Sequence, residues 1–206
     1  MLDMDPNLLN LAVGFLFILI FGALGFLRRE GLSVQFALEA VGVTAILLGG
    51  SGLLGIPIHP VLLVVLLYLI TMRSRLIVDL ANVLAGREKY TVAFRLYRLA
   101  MALWPDEASR LIVQTNTATA LLRRGQIEEA IALLQGVLEI EKRPRLGVKY
   151  EAACRYNLAY AYEKTGQDAQ AVAQYNETID VLPGSVYGKA AQAALKRRKE
   201  KRSDAE

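Results

Sequence analysis

The chain opens with an apolar run, residues 8–27, in which Asn10 is the only polar side chain. As a helix rising about 1.5 Å per residue, such a run covers roughly 30 Å, the thickness of a bilayer hydrocarbon core. Asp3 and Asp5 precede it and Arg28 and Arg29 follow it. It is also longer than the core of a cleaved signal peptide, about 7–15 residues. The pattern predicts a retained transmembrane helix. Apolar character resumes over 32–72, too long for one span. Gly49-Gly50-Ser51-Gly52 and Gly55-Ile56-Pro57-Ile58-His59-Pro60 both carry turn chemistry. They predict a second helix over about 33–48, an irregular or re-entrant stretch after it, and a third helix opening at Pro60. A second helix running on to residue 54 would make a tighter hairpin. Residues 61–85 contain no Gly or Pro, so the third helix is expected to leave the membrane near Thr71 and continue unbroken into the polar part.

Beyond residue 72 the pattern becomes an internal repeat. Asn116-Thr117-Ala118-Thr119-Ala120-Leu121-Leu122-Arg123-Arg124-Gly125-Gln126 aligns on Asn157-Leu158-Ala159-Tyr160-Ala161-Tyr162-Glu163-Lys164-Thr165-Gly166-Gln167. An alanine follows each glycine (Ala130, Ala171), and a large apolar residue follows that (Leu134, Tyr175). This resembles the tetratricopeptide repeat, a helix–turn–helix unit of about 34 residues. The family's small, bulky and turn positions are matched by Ala118 and Ala159, Leu121 and Tyr162, and Gly125 and Gly166. Its terminal proline is Pro183 in the later copy. A weaker copy precedes them in Leu80, Ala81, Ala93, Tyr97, Ala100 and Pro105. Its Gly86 stands two residues early, which predicts a lengthened turn. Gly125 and Gly166 are farther apart than one unit, which predicts an insertion over 140–148. Each unit leaves an apolar face open, so about three units and a cap are needed. Residues 185–198, with Ala190, Ala191, Ala194 and Leu195 on one side, supply the cap. The expected fold is all-α. About three transmembrane helices (1–72) lead into a helical repeat domain of about three units (73–195) and a basic tail (196–206).

Charge divides the chain in the same place. Residues 1–72 hold only Arg28 and Arg29 against Asp3, Asp5, Glu30 and Glu39, which leaves 22 of the 24 basic and 16 of the 20 acidic residues to the remainder. With three spans, Arg28, Arg29, Arg73, Arg75, Arg87 and Lys89 all fall on one side. The positive-inside rule makes that side cytoplasmic, so the repeats are expected there.

The candidate chemistry points away from catalysis. One cysteine (Cys154) excludes paired-cysteine zinc sites and an internal disulfide, and one histidine (His59) excludes two-histidine metal sites. No catalytic residue, metal or cofactor is expected, and no small-molecule substrate. His59 reads as a loop residue. Residues 49–55 are glycine-rich, but no lysine completes a phosphate loop. Glu39 lies within the second apolar run, near its cytoplasmic end, and no second charge in the apolar segments pairs with it. Interfacial placement fits it better than proton transfer. The basic tail reads as a solvated helix end able to touch anionic lipid. It has no aromatic platform for nucleic acid. Asn176-Glu177-Thr178 falls on a cytoplasmic helix and carries no glycan.

The resemblance implies a concave groove formed by the first helix of each unit. Arg75, Val78, Asp79 and Asn82 face it from the first unit, and Ile112, Thr115, Asn116, Thr119 and Arg123 from the second. Tyr156, Asn157, Tyr160 and Lys164 face it from the third. Arg75, Asp79, Asn116, Ala153 and Asn157 occupy the positions where chaperone-binding members clamp a carboxylate, and Asp79 would repel one. The partner-binding set is therefore Asn82, Asn116, Arg123, Tyr156, Asn157, Tyr160 and Lys164, with asparagine amides gripping an extended backbone. The resemblance implies a non-enzymatic, membrane-anchored scaffold that recruits other proteins. The alternative is an accessory subunit of a membrane complex, held through its transmembrane helices.

Overall fold

A computed structural model describes residues 5–30, 33–140 and 147–203. Among these residues there are helices and no strands: α1 (Pro6–Leu27), α2 (Val34–Leu54), α3 (Pro60–Thr71), α4 (Arg73–Gly86), α5 (Tyr90–Ala102), α6 (Glu107–Arg124), α7 (Ile127–Ile140), α8 (Val148–Lys164), α9 (Asp168–Val181) and α10 (Val186–Ser203).

Local chemistry sets the N-terminal boundaries. Asp5 caps α1 by accepting from the Asn7 amide at 2.7 Å, with Pro6 in the first turn. Ser33 caps α2 through the Phe36 amide. The His59 imidazole accepts from the Val61 amide ahead of Pro60, so the lone histidine is a helix cap. Helix α2 does not stop near residue 48. Gly49, Gly50 and Gly52 are helical, and the chain turns at Gly55, which adopts a left-handed conformation (φ +64°). The tighter hairpin is the one formed. Phe17, Ala40, Leu63 and Leu67 are buried among α1–α3 while most other large apolar side chains point outward. Helices α1 and α2, of 22 and 21 residues, are each long and apolar enough to cross a membrane. Helix α3, of 12 residues, passes that test only together with α4.

The expectation of one helix across 61–85 is corrected. Helices α3 and α4 break at Met72 and meet at a bend of 69°. No glycine or proline causes the break. Arg73 stabilises it by donating to the Ile70 carbonyl at 2.7 Å, to Leu103 at 2.8 Å and to Trp104 at 2.9 Å. These groups include the carbonyls left open at the ends of α3 and α5.

Helices α4–α10 stack as three antiparallel pairs and a final helix around one continuous core. Ala81, Ala93, Ala118, Ala130, Ala159 and Ala171 are fully buried, so the paired backbones approach closely, and Tyr97, Leu134 and Tyr175 fill the space beside them. The three turns within pairs share one hydrogen-bond pattern. Gln126 N donates to Leu121 O, Gln167 N to Tyr162 O and Lys89 N to Leu84 O. Gly125 and Gly166 supply the left-handed residue in two of them (φ +88° and +74°). In the first unit Gly86 stays helical and Glu88 takes the left-handed place (φ +61°). That turn has the same length as the others, which corrects the lengthened turn. The insertion expected over 140–148 falls largely on 141–146, which lie outside the described residues. Helix α10 runs unbroken past residue 196 to Ser203, so the basic stretch continues the cap.

Candidate protein-binding groove

Helix α4 lies against the N-terminal bundle through two ion pairs. Arg73 forks onto both carboxylate oxygens of Glu39, at 2.5 and 2.9 Å, and Gln35 joins them by donating to Glu39 and to the Trp104 carbonyl. Glu39 thus has a partner after all, supplied from just beyond α3. Arg75 pairs with Glu30 at 2.8 Å and donates to Ser109 at 3.0 Å. That removes Arg75 from the groove-facing set. Burial alone would raise the Asp106 carboxyl, but hydrogen bonds from Ser109 and Ser33 and the charge of Arg75 outweigh it and hold it below its usual range. Gly147 closes the contact from the other side. Its φ is +81°, and a Cβ there would lie 2.9 Å from the Arg28 carbonyl oxygen.

Against this fixed base, α4, α5, α6, α8 and α10 enclose a concave cavity of about 250 Å³. Asn82, Asn116 and Arg123 line it, as do Thr115 and Thr119. The Asn82 side chain accepts from the Tyr97 hydroxyl at 2.6 Å, and Asn116 donates back to the Ile112 carbonyl of its own helix at 2.8 Å. Asn157 does not line the cavity. It donates to Thr119 at 2.8 Å and so ties the third unit to the second behind the wall. Tyr156 turns the other way and packs between Tyr175 and Tyr187, with ring centroids 5.8 and 5.9 Å away. Tyr160 and Lys164 pair with each other outside the cavity, ammonium over ring at 5.3 Å.

The remaining lining residues include Tyr97, Lys149, Tyr150 and Tyr187. Tyr97 and Tyr187 are legible in the sequence only as core and cap residues. Lys149 and Tyr150 follow from α8 starting at Val148, one turn before the third repeat begins. Burial pushes the Tyr97 hydroxyl up to about 12, slightly opposed by Arg123, and burial also raises Tyr150. Both phenols keep their protons at neutral pH, but that of Tyr97 is engaged by Asn82, which leaves its oxygen as an acceptor. Arg123 and Lys149 are exposed at the rim, and no carboxylate is among the lining residues. The cavity therefore offers cations and aromatic faces, an arrangement matched to a negatively charged or aromatic segment.

The tetratricopeptide repeat family model matches residues 72–143 and, overlapping them, 109–183, together more than half of the chain. No curated protein and no solved structure matches it.

Proposed function

Since the chain belongs to the tetratricopeptide repeat family, whose stacked helix pairs are protein–protein interaction modules, we propose that it is a membrane-anchored scaffold. Its groove takes an acidic, extended or helical segment of a partner protein. Helices α1–α3 supply the anchor, and the clustering of Arg28, Arg29, Arg73 and Arg75 at one end of the bundle argues for repeats on the cytoplasmic side. The observation that carries the reading is the cavity itself: two cations at its rim, three tyrosines in its wall and no carboxylate among its lining residues. Arg123 and Lys149 steer and hold the charge, and the tyrosines give aromatic contact at low cost in conformational entropy.

The test uses the full chain in its native membrane with a photo-crosslinking side chain in place of Thr119. Partners should crosslink there, and Arg123→Glu with Lys149→Glu should abolish the adducts while the chain stays in the membrane fraction. A partner set indifferent to that charge reversal would refute the groove. Topology has its own check. A reporter fused after Glu206 should read as cytoplasmic, and an external signal would refute the orientation.

A further inference from the structure

Trp104 is the chain's one tryptophan, and its place invites a question the groove does not answer. It sits between α5 and α6 in a left-handed backbone conformation (φ +56°), rare for so large a side chain, with 78% of its surface exposed. Its carbonyl is held by Gln35 and Arg73, at the start of α2 and the start of α4. That holds the Trp104 backbone at the end of the apolar bundle. Around it the first unit is open, because no unit precedes it. Near the end of α5, Leu99 is 45% exposed and Met101 is also uncovered, on either side of the buried Ala100. Leu80 and Val83 on α4 are each 53% exposed. The same pair of helices and its turn carry Arg87, Lys89, Arg95 and Arg98 against Asp79 and Glu88.

The bend decides what this face meets. Helix α4 has 14 residues and leaves α3 at 69°. Over its length of about 21 Å it climbs only about 8 Å along the α3 axis. The polar headgroup layer of a bilayer is about 5–8 Å thick on each side. With α3 along the membrane normal, the first unit stays within or against that layer. Tryptophan is enriched at this depth, since its ring is apolar and its N–H needs a polar partner. Exposed leucines with interspersed arginines suit an anionic lipid surface in the same way.

We infer that the first repeat unit is seated on the bilayer, with the Trp104 indole in the headgroup region and the exposed end of α5 against lipid, so that lipid covers the open end of the solenoid. This rests on α1–α3 being the membrane anchor.

The full chain, reconstituted into vesicles of phosphatidylcholine and phosphatidylglycerol, reports on itself through its single tryptophan. Emission should be blue-shifted and should lose most of its intensity in lipid brominated near the headgroup end of the acyl chain, and less in lipid brominated near the chain terminus. Leu99→Glu with Met101→Glu, two positions outside the core, should weaken that quenching. Flotation of washed vesicles is read in parallel. If the chain floats but Trp104 is quenched by aqueous iodide and not by bromolipid, the seating is overturned and the anchor stands. A blue-shifted emission that ignores bromolipid and fades on dilution into excess lipid means that a second copy covers Trp104, which also overturns it. If the chain does not float, the anchor reading fails and the seating fails with it.

Discussion

In the bundle of α1–α3, Phe15, Ile46 and Leu53 point outward while Asn10 and Thr44 are buried; in the repeats, Ala118, Leu134 and Ala159 are buried while Arg123, Glu128 and Lys164 point outward. The helices are similar in length, yet each region turns a different surface to its surroundings. The bundle's Asn10 donates to the Ile58 carbonyl, a bond that an apolar surrounding makes expensive to lose. The repeats are held instead by burial of small and medium apolar side chains. Exposed large apolar side chains thus crowd the bundle and are sparser in the repeats.

Truncation of a leucine in each region gives the largest expected effect and the most direct way to break that contrast. Leu134→Ala, at a fully buried position, should lower the stability of the repeats by about 2–5 kcal/mol in denaturant unfolding followed by circular dichroism. Leu53→Ala, at a position 91% exposed on α2, should leave that transition where it is. Equal losses would mean that the two regions share one core.

The join between them comes next. Glu39→Gln and Arg73→Gln, singly and together, form a double-mutant cycle whose coupling should be about 1–2 kcal/mol, read by hydrogen exchange over the 103–106 segment. The pair is partly exposed, with 25% of each side chain accessible, which keeps the figure below that of a buried ion pair. Zero coupling would reduce the ion pair to a surface contact.

The smallest effect has the opposite sign. Glu88 occupies a left-handed position that Gly125 and Gly166 fill in the other two turns. Glu88→Gly should therefore stabilise the repeats by about 1 kcal/mol, measured as a raised unfolding midpoint. Gly125→Ala should do the reverse. A Glu88→Gly variant that unfolds earlier would show that the three turns are not equivalent.

The same residues explain how much could be read from the sequence. The three helix pairs were legible because each repeats the same short-range spacing of Ala and a large residue, with Gly added in the second and third, and those contacts form within a few turns of the chain. The bend at Met72 was not, because nothing local breaks that helix. It is accompanied by Arg73 reaching Leu103, Trp104 and Glu39, about thirty residues away in either direction. Within the groove, Asn82, Asn116 and Arg123 follow from helix register and line the cavity. Tyr156, Asn157, Tyr160 and Lys164 share the register of the third unit, but the shape of the wall depends on where α8 begins and how α10 crosses it. That geometry also brings in Lys149, Tyr150 and Tyr187.

The ion pairs of Glu39 with Arg73 and of Glu30 with Arg75 join the bundle to the repeats, and Gly147 packs against the second of these places, beside Arg28 and Glu30. Helix α3 also runs into α4 through Met72 alone, so no flexible linker separates the two parts. The groove is therefore on a rigid mount, unlike domains that a flexible tether lets sample many directions. A tethered domain gains partners by searching a volume, and it gives up part of its binding energy to stop moving. Here that motion is surrendered during folding, before any partner arrives. Whatever binds meets a groove already aimed, and selection acts on its angle of approach as well as on its sequence.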